Sequence, residues 1–289
     1  MTATERDGSA TTEPTRSRQP KRLVLSFLGE FLGRDWDAPV RTGVFLEVLH
    51  GAGVAAPAAR ATLDRLVRNG VLSRVRRGRH LEFSLTPAGR TMLGEAADRV
   101  RGPAPFHPNG DGWTLVTFSL PEELRTLRGR LRSTLTWHGF APLRDGLWLA
   151  SGRPALAAAI EPLGSELPDG ALMAFHAQEL DGFPIAASVR DAWDIEGIRA
   201  AHESFIETWD GAVVDGSSSA MVMRTMLVAD WLELLRADPR LPPEFMDAQW
   251  PAPESFALFR RLRGELSAQS DAEFAALTAA SASATPSGS

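Results

Sequence analysis

Residues Gly70–Arg90, "GVLSRVRRGRHLEFSLTPAGR", decide the fold of the first third of the chain. Two short segments in which apolar and polar residues alternate, "VLSRV" and "LEFSL", flank a turn at Gly78, which predicts a two-stranded hairpin. Thr86 then precedes "PAGRTMLGEAADRV", where a side-chain cap and a proline in the first turn predict a helix. Five arginines and one histidine lie in these 21 residues, so the hairpin is strongly basic.

Three helices are predicted before this hairpin from apolar residues at helical spacing. The first begins at Leu23, the second contains "VRTGVFLEVLHGAG", and the third contains "PAARATLDRLVRN", closed by Gly70. Three helices followed by a hairpin are the element order of a winged helix-turn-helix, which we place at residues 21–101. The predicted wing is the hairpin, and the predicted recognition helix is the one before it.

Arginines on these two elements are the candidate DNA-binding residues. Arg60, Thr62 and Arg65 on the helix are expected to contact bases in a major groove. Phosphate contacts are expected from Arg68 and from the wing residues Arg74, Arg76, Arg77 and Arg79.

The charge distribution supports a nucleic-acid partner for this part of the chain. Residues 21–101 hold 14 Lys/Arg against 8 Asp/Glu, whereas residues 102–289 hold 14 Arg against 25 Asp/Glu, and the whole chain has a net charge of −5. One basic module joined to an acidic remainder predicts that DNA contact is confined to the first third. The chain has no cysteine, no apolar segment long enough for a membrane span and no signal sequence, which predicts a cytoplasmic protein.

The remainder divides into two further predicted domains. Residues 102–112, "GPAPFHPNGDG", have the composition of a linker. Residues 113–180 follow a β-α-β-β-α-β pattern, which predicts a ferredoxin-like domain. Residues 181–275 are helical by pattern, and the low-complexity tails 1–20 and 276–289 are predicted to be disordered. The predicted fold class is α+β with several domains.

The residues offer little support for catalysis. The six histidines are scattered without metal-ligand spacing, so no metal site or cofactor is predicted. His202 lies on an apolar helical stripe, which favours a buried, hydrogen-bonded histidine. Arg125, Arg128 and Arg132 share one helix face and suit an anionic effector, although the same pattern fits a solvated face. Trp137 and Trp148 suit either an apolar effector slot or ordinary core.

The chain resembles the PaaX-type transcriptional repressors of phenylacetic acid catabolism. The resemblance is carried by "SFLGEFL", "ARATLDRLVRNGVLSRVRRGRHLEFSLTPAGR", "GDGWTLVTFSLPEELRTLRGRLRSTLTWHGFAPLRDGLWLA" and "RTMLVADWLELLRADPRLPPEFMDAQWPAPESFALFRRL", which span residues 22–268. It implies a homodimeric repressor that leaves its operator DNA when phenylacetyl-coenzyme A or a related acyl-coenzyme A binds.

Two other functions remain open at this stage. The predicted middle domain is similar to small CRISPR-associated endoribonucleases, which carry a metal-binding aspartate near the end of the first strand. Ser119 and Leu120 occupy that place here, which argues against a nuclease or another enzyme. An activator is not distinguished from a repressor by sequence.

Overall fold

A computed structural model describes residues 18–32, 38–78, 80–212 and 219–283, with side chains through residue 280. Within these ranges the chain has a mixed α/β fold that contains two small antiparallel sheets, of three and four strands. Most of the predicted 1–20 tail therefore lies outside the described residues, as do residues 284–289 of the second tail.

The N-terminal module contains four helices and a three-stranded sheet. Its elements are α1 (Pro20–Phe31), β1 (Val40–Arg41), α2 (Thr42–Gly51), α3 (Ala56–Arg68), β2 (Leu72–Arg77), β3 (His80–Leu85) and α4 (Pro87–Arg101). The sheet order is β1-β3-β2. Strand β1 was not predicted, because two residues are too few to show an alternating pattern.

The cap predicted at Thr86 is confirmed. Its hydroxyl oxygen accepts a hydrogen bond from the Gly89 amide at 3.0 Å, and Pro87 occupies the first turn of α4. A side chain at Gly89 would lie 2.2 Å from the carbonyl oxygen of Val71, so the close contact between α4 and the hairpin requires glycine. This contact fixes α4 directly against the base of the hairpin.

The middle domain is a four-stranded sheet with helices on one face. Its elements are β4 (Trp113–Phe118), α5 (Arg125–Trp137), β5 (Ala141–Arg144), β6 (Leu147–Ser151), α6 (Leu156–Ile160) and β7 (Leu172–Ala177), and the sheet order is β5-β6-β4-β7. The leucines of α5 that face the sheet, Leu127, Leu131 and Leu135, are buried. The second helix of the predicted β-α-β-β-α-β pattern, α6, is short and continues as a 3-10 segment, because Pro162 lacks the amide that an α-helix needs.

The C-terminal region is helical, and its last helix is longer than predicted. It contains α7 (Ala186–Ala192), α8 (Ile195–Trp209), α9 (Ala220–Ala237) and α10 (Ala252–Ser283). The prediction of a disordered tail from residue 276 is wrong for residues 276–283. Leu277 packs against the core of the N-terminal module, and alanine-rich sequence has a high helix propensity.

The N-terminal and C-terminal helices share one core. Phe274 of α10 contacts Phe27 and Phe31 of α1, with ring centroids 5.8 and 5.4 Å apart. Arg18, inside the predicted N-terminal tail, donates two hydrogen bonds of 2.8 and 2.7 Å to the Asp230 carboxylate of α9. The separate domains predicted at 21–101 and 181–275 are therefore packed into a single unit, and residues 18–20 belong to it.

The predicted linker is anchored to this unit. Phe106 contacts the ring of His202 at 4.8 Å and that of Trp231 at 5.2 Å. Residues 102–112 connect α4 to β4 without a regular element, but an aromatic side chain holds them against the C-terminal core.

Candidate nucleic-acid interface

Helix α3 presents a basic surface to solvent. Leu63 and Leu66 are buried in the core of the module, which turns Arg60, Arg65 and Arg68 outward into solvent. The placement predicted for Thr62 on the same face is wrong. Thr62 is only 8% exposed, and its hydroxyl donates to the carbonyl oxygen of Ala58 at 2.8 Å.

The β2–β3 hairpin extends this basic surface. Leu72, Phe83 and Leu85 anchor its base in the core, and strand β2 is exposed from Ser73 onward. Arg77 pairs with His80 at the end of the ladder, next to Gly78 with φ of 59°. The exposed arginines of the strand are Arg74, Arg76 and Arg77. Arg79 lies outside the described residues.

Ion pairs join the hairpin to its neighbours. Arg74 donates to the Asp64 carboxylate of α3 at 2.9 Å, and both side chains are about half exposed. Glu82 of β3 accepts from Arg41 and lies 3.4 Å from the Arg77 guanidinium. The Arg74–Asp64 pair is half exposed and is worth less than about 1 kcal/mol, so a phosphate oxygen can replace this carboxylate at little cost, whereas the Glu82 carboxylate is buried.

A cleft lies between the helices and the hairpin. It has a volume of about 500 Å³, and its lining includes Arg41, Thr42, Arg60, Arg74 and His80. Sequence reasoning missed Arg41 and His80 as members of this surface. Arg41 is held there by strand β1, which was itself too short to predict. Residues 56–78 hold six arginines and one acid, Asp64, and the Glu82 carboxylate beside Arg77 is buried, so the exposed surface suits an extended polyanion.

The arginines predicted to hold an effector are not gathered into a site. Arg128 donates to the carbonyl oxygen of Leu120 at 2.6 Å and to the Glu122 carboxylate at 3.1 Å, so its guanidinium closes the loop before α5. Arg125 and Arg132 are exposed on the same helix. This pattern fits the solvated face that the sequence left open.

The two tryptophans lie in different surroundings. Trp148 is 7% exposed and belongs to the core of the middle domain, where it contacts Phe118. Trp137, at the end of α5, is stacked between the guanidinium groups of Arg99 at 4.3 Å and Arg236 at 4.6 Å. Among the clefts described in this part of the chain, none is lined by either tryptophan together with Arg125, Arg128 or Arg132.

His202 is buried, as predicted, in a hydrogen-bonded network. Its Nδ1 lies 2.8 Å from the Ser255 hydroxyl, and its Nε2 lies 3.0 Å from the Asp238 carboxylate. These are the residue types of a catalytic triad, but the His202 side chain has no exposed surface and that of Asp238 is 1% exposed. A substrate cannot reach the serine, so the network is structural.

The acid required for nuclease chemistry has no counterpart at the end of β4. The amide of Ser119 donates to the Ala171 carbonyl oxygen at 2.9 Å, and Leu120 is 7% exposed. Across the described ranges, no group of three or more histidine and acidic side chains is arranged to hold a metal ion. No helix in that part of the chain is long and apolar enough to cross a membrane.

Comparison with known proteins gives matches along most of the chain. Three family models match: "PaaX-like protein" over residues 19–89, "PaaX protein central Cas2-like domain" over residues 107–180, and "PaaX-like protein C-terminal domain" over residues 193–276. No curated protein matches the sequence. Among solved structures, the uncharacterized protein Rv0674 from Mycobacterium tuberculosis superposes with a TM-score of 0.54 and 20% identity, covering 88% of this chain and 98% of that one.

The solved structure shares the fold, and the family models decide the membership. Their three segments follow one another in order and together cover well over half of the chain. The basic surface of α3 and the hairpin lies inside the first segment, and the two remaining segments contain the four-stranded sheet and helices α8, α9 and most of α10. The chain therefore belongs to the PaaX family of regulators.

Proposed function

We propose that the protein is a sequence-specific DNA-binding transcriptional repressor. The observation that carries the proposal is the continuous basic surface formed by α3 and the β2–β3 hairpin. In this interpretation residues 21–101 are a winged helix-turn-helix, α3 enters the major groove and the hairpin is the wing. Membership of a regulator family supports the same function and argues against an enzyme.

The roles of the arginines follow from their positions. Arg60 and Arg65, exposed on α3, are proposed to contact base edges. Arg68 at the end of α3 and the hairpin residues Arg74, Arg76, Arg77 and Arg79 are proposed to bind phosphates. Thr62 is left out of the base-contacting set because its hydroxyl is buried and already bonded.

We propose that the protein acts as a homodimer joined through the middle domain. The element order of this domain and its sheet order, β5-β6-β4-β7, fit the ferredoxin-like arrangement. Strand β7 is an edge strand, and large apolar side chains are exposed on and after it: Met173, Phe175, Leu180 and Phe183. A second copy of the chain is the proposed partner, since a two-fold axis would pair these surfaces and place two α3 helices on a palindromic operator.

The proposed effector is the one that the resemblance to the PaaX-type repressors implies. We propose that phenylacetyl-coenzyme A, or a related acyl-coenzyme A, releases the repressor from the operator of an aromatic catabolic operon in the cytoplasm. A ligand that binds the free protein more tightly than the DNA-bound protein must weaken DNA binding by the same factor.

DNA binding to the protein's own promoter region tests the central proposal. We expect the full chain to shift this fragment at moderate salt and to prefer it over an unrelated duplex. Arg65→Ala should relax the preference at particular bases, whereas the matched control Arg261→Ala, which removes an exposed arginine of α10, should leave binding unchanged. Equal binding to both duplexes, or none, contradicts the proposal. Magnesium-dependent cleavage of RNA by the same preparation would favour a nuclease instead.

A further inference from the structure

A second cleft lies where the N-terminal module, the middle domain and the C-terminal region meet. It has a volume of about 300 Å³. Helix α4 contributes Arg99, the end of α5 contributes His138, and the segment after α9 contributes Arg240. The middle domain and the C-terminal region are tightly packed here: a Cβ atom at Gly139 would lie 3.2 Å from the Pro239 carbonyl oxygen.

Arg99 and His138 form the side of the cleft nearest α5. Arg99 donates to the carbonyl oxygen of Trp137 at 2.8 Å, and it lies 3.3 Å from Nδ1 of His138. Burial, followed by the nearby Arg240, lowers the pKa of Arg99 to about 10. Burial, followed by Arg99, lowers the pKa of His138 to about 4, so this ring is neutral at pH 7. Since arginine is only a donor, Nδ1 must accept, and the proton of the ring lies on Nε2.

Arg240 is held on the opposite side by the buried histidine network. Its backbone adopts a φ of 60°, the single positive φ among the described non-glycine residues. The Arg240 amide donates to Oδ1 of Asp238 at 2.6 Å, while Oδ2 of the same carboxylate lies 3.0 Å from His202. Backbone strain of this kind persists only where the surroundings impose it, and it concentrates at functional sites. The network therefore positions Arg240 toward the junction.

The cleft differs from a further arginine-lined cleft, which lies between the end of α4 and α10. Between α4 and α10, Arg224 and Arg263 are neutralised by the buried Glu30 carboxylate. At the junction Glu95 and Asp98 lie on the rim contributed by α4, yet within the described part of the chain neither forms an ion pair with Arg99 or Arg240. Two partly buried guanidinium groups thus face a cavity without a bonded carboxylate.

We propose that this cleft binds an oxyanion, the carboxylate or phosphate group of a small-molecule effector, between Arg99, Arg240 and the Nε2–H of His138. Such a group would accept charge-assisted hydrogen bonds from two guanidinium groups that have no bonded carboxylate, although Glu95 and Asp238 lie near them. The effect of this ligand on DNA binding rests on the function proposed above. Helix α4 leaves the hairpin directly, so a ligand that joins α4 to the middle domain sets the orientation of the DNA-binding surface.

Titration calorimetry on the full-length protein tests the site, with inorganic pyrophosphate as the phosphate probe and phenylacetate as the carboxylate probe. At least one of them should bind at an ionic strength held constant with sodium chloride. Arg240→Gly removes the guanidinium and suits the positive φ, so it should keep the fold and weaken binding by about tenfold or more. Ala158→Trp, at the exposed rim, should block the cleft. The control Arg144→Ala removes an exposed arginine elsewhere in the middle domain.

The results separate this inference from the proposed function. Binding that is lost in Arg240→Gly and Ala158→Trp but kept in Arg144→Ala supports the site, and the bound probe should also change the affinity for promoter DNA. Absence of binding by both probes, or binding that both variants retain, overturns the site while leaving DNA binding as a separate result. Binding at the cleft with unchanged DNA affinity overturns the effector role.

Discussion

The arginines of the hairpin and those between α1, α9 and α10 have opposite surroundings. Arg76 and Arg77 project into solvent on strand β2, which is exposed along most of its length. Arg224 is 8% exposed and is bonded to Glu30, Ser270 and Asp271. The first group keeps its charge available to a partner outside the chain, and the second uses its charge to hold α1 against the C-terminal helices. The same residue type is thus open to an outside partner or committed to stability according to whether its own guanidinium is exposed, as in Arg77, or buried against an acid, as in Arg224.

A substitution in the buried ion-pair network should produce the largest loss of folding stability. Glu30, 4% exposed, accepts from Arg224 at 2.9 and 2.6 Å and from Arg263 at 2.8 Å. Glu30→Gln removes the buried carboxylate that Arg224 and Arg263 share and leaves Arg224 with only the exposed Asp271, and loss of one partner in a buried pair costs up to about 3–5 kcal/mol. Urea unfolding should show this loss. Glu265→Gln, which breaks the exposed i,i+4 pair with Arg261, should change stability by less than about 0.5 kcal/mol. Equal effects of the two variants would contradict the contrast.

Substitution of an exposed hairpin arginine should weaken DNA binding and leave folding stability unchanged. Arg77→Ala should weaken binding to every duplex and reduce the slope of log K against log salt by about one, because one phosphate contact is lost. Fluorescence anisotropy at four or five salt concentrations measures the slope, and thermal unfolding checks the fold. Arg130→Ala, whose arginine pairs with Glu166 on the exposed side of the middle domain, is the control. A slope that stays the same in Arg77→Ala would place the hairpin away from the phosphates.

A smaller, pH-dependent change in folding stability is expected at the start of α9, where Glu273 of α10 accepts hydrogen bonds. Burial opposes ionisation of Glu273, but hydrogen bonds from the Ser219 hydroxyl and from the amides of Met221 and Ala220 outweigh it and lower its pKa below the ordinary 4.5. A lowered folded-state pKa contributes stability above the unfolded-state value, and this contribution is lost as the pH falls through the folded-state value. Glu273→Gln should therefore destabilise by less than about 1 kcal/mol at pH 7 and by nothing at low pH. A difference that is independent of pH would rule out the carboxylate as the cause.

The smallest effect is expected at the contact between α3 and the hairpin. Asp64→Ala removes the exposed acid that pairs with Arg74 and releases this arginine for phosphate. Stability should change by less than about 1 kcal/mol, since the pair is half exposed, while DNA affinity rises a few-fold at low salt and less at high salt. Weaker DNA binding by Asp64→Ala would show that the ion pair orients Arg74 for its contact.

Local signals in the sequence were sufficient for the elements of the basic surface. The helical spacing that buries Leu63 and Leu66 also turns Arg60, Arg65 and Arg68 outward, and the alternation around Gly78 predicts the hairpin. Thr86 and Pro87 mark the start of α4 for reasons contained within one turn of helix. The burial of His202 was predictable as well, from its place on an apolar stripe.

Contacts between distant residues were decided by the tertiary structure alone. Thr62 lies at the edge of the helix face, where packing turned it inward, and Arg128 is held by a loop whose course the sequence does not reveal. The shared core of α1 and α10 joins residues more than 200 positions apart, so no periodicity within either helix indicates it. Arg99, His138 and Arg240 come from three regions in which each residue is unremarkable by itself. Periodicity reports which face of an element is apolar, but the partner of that face, and the charges placed beside it, depend on how the elements pack.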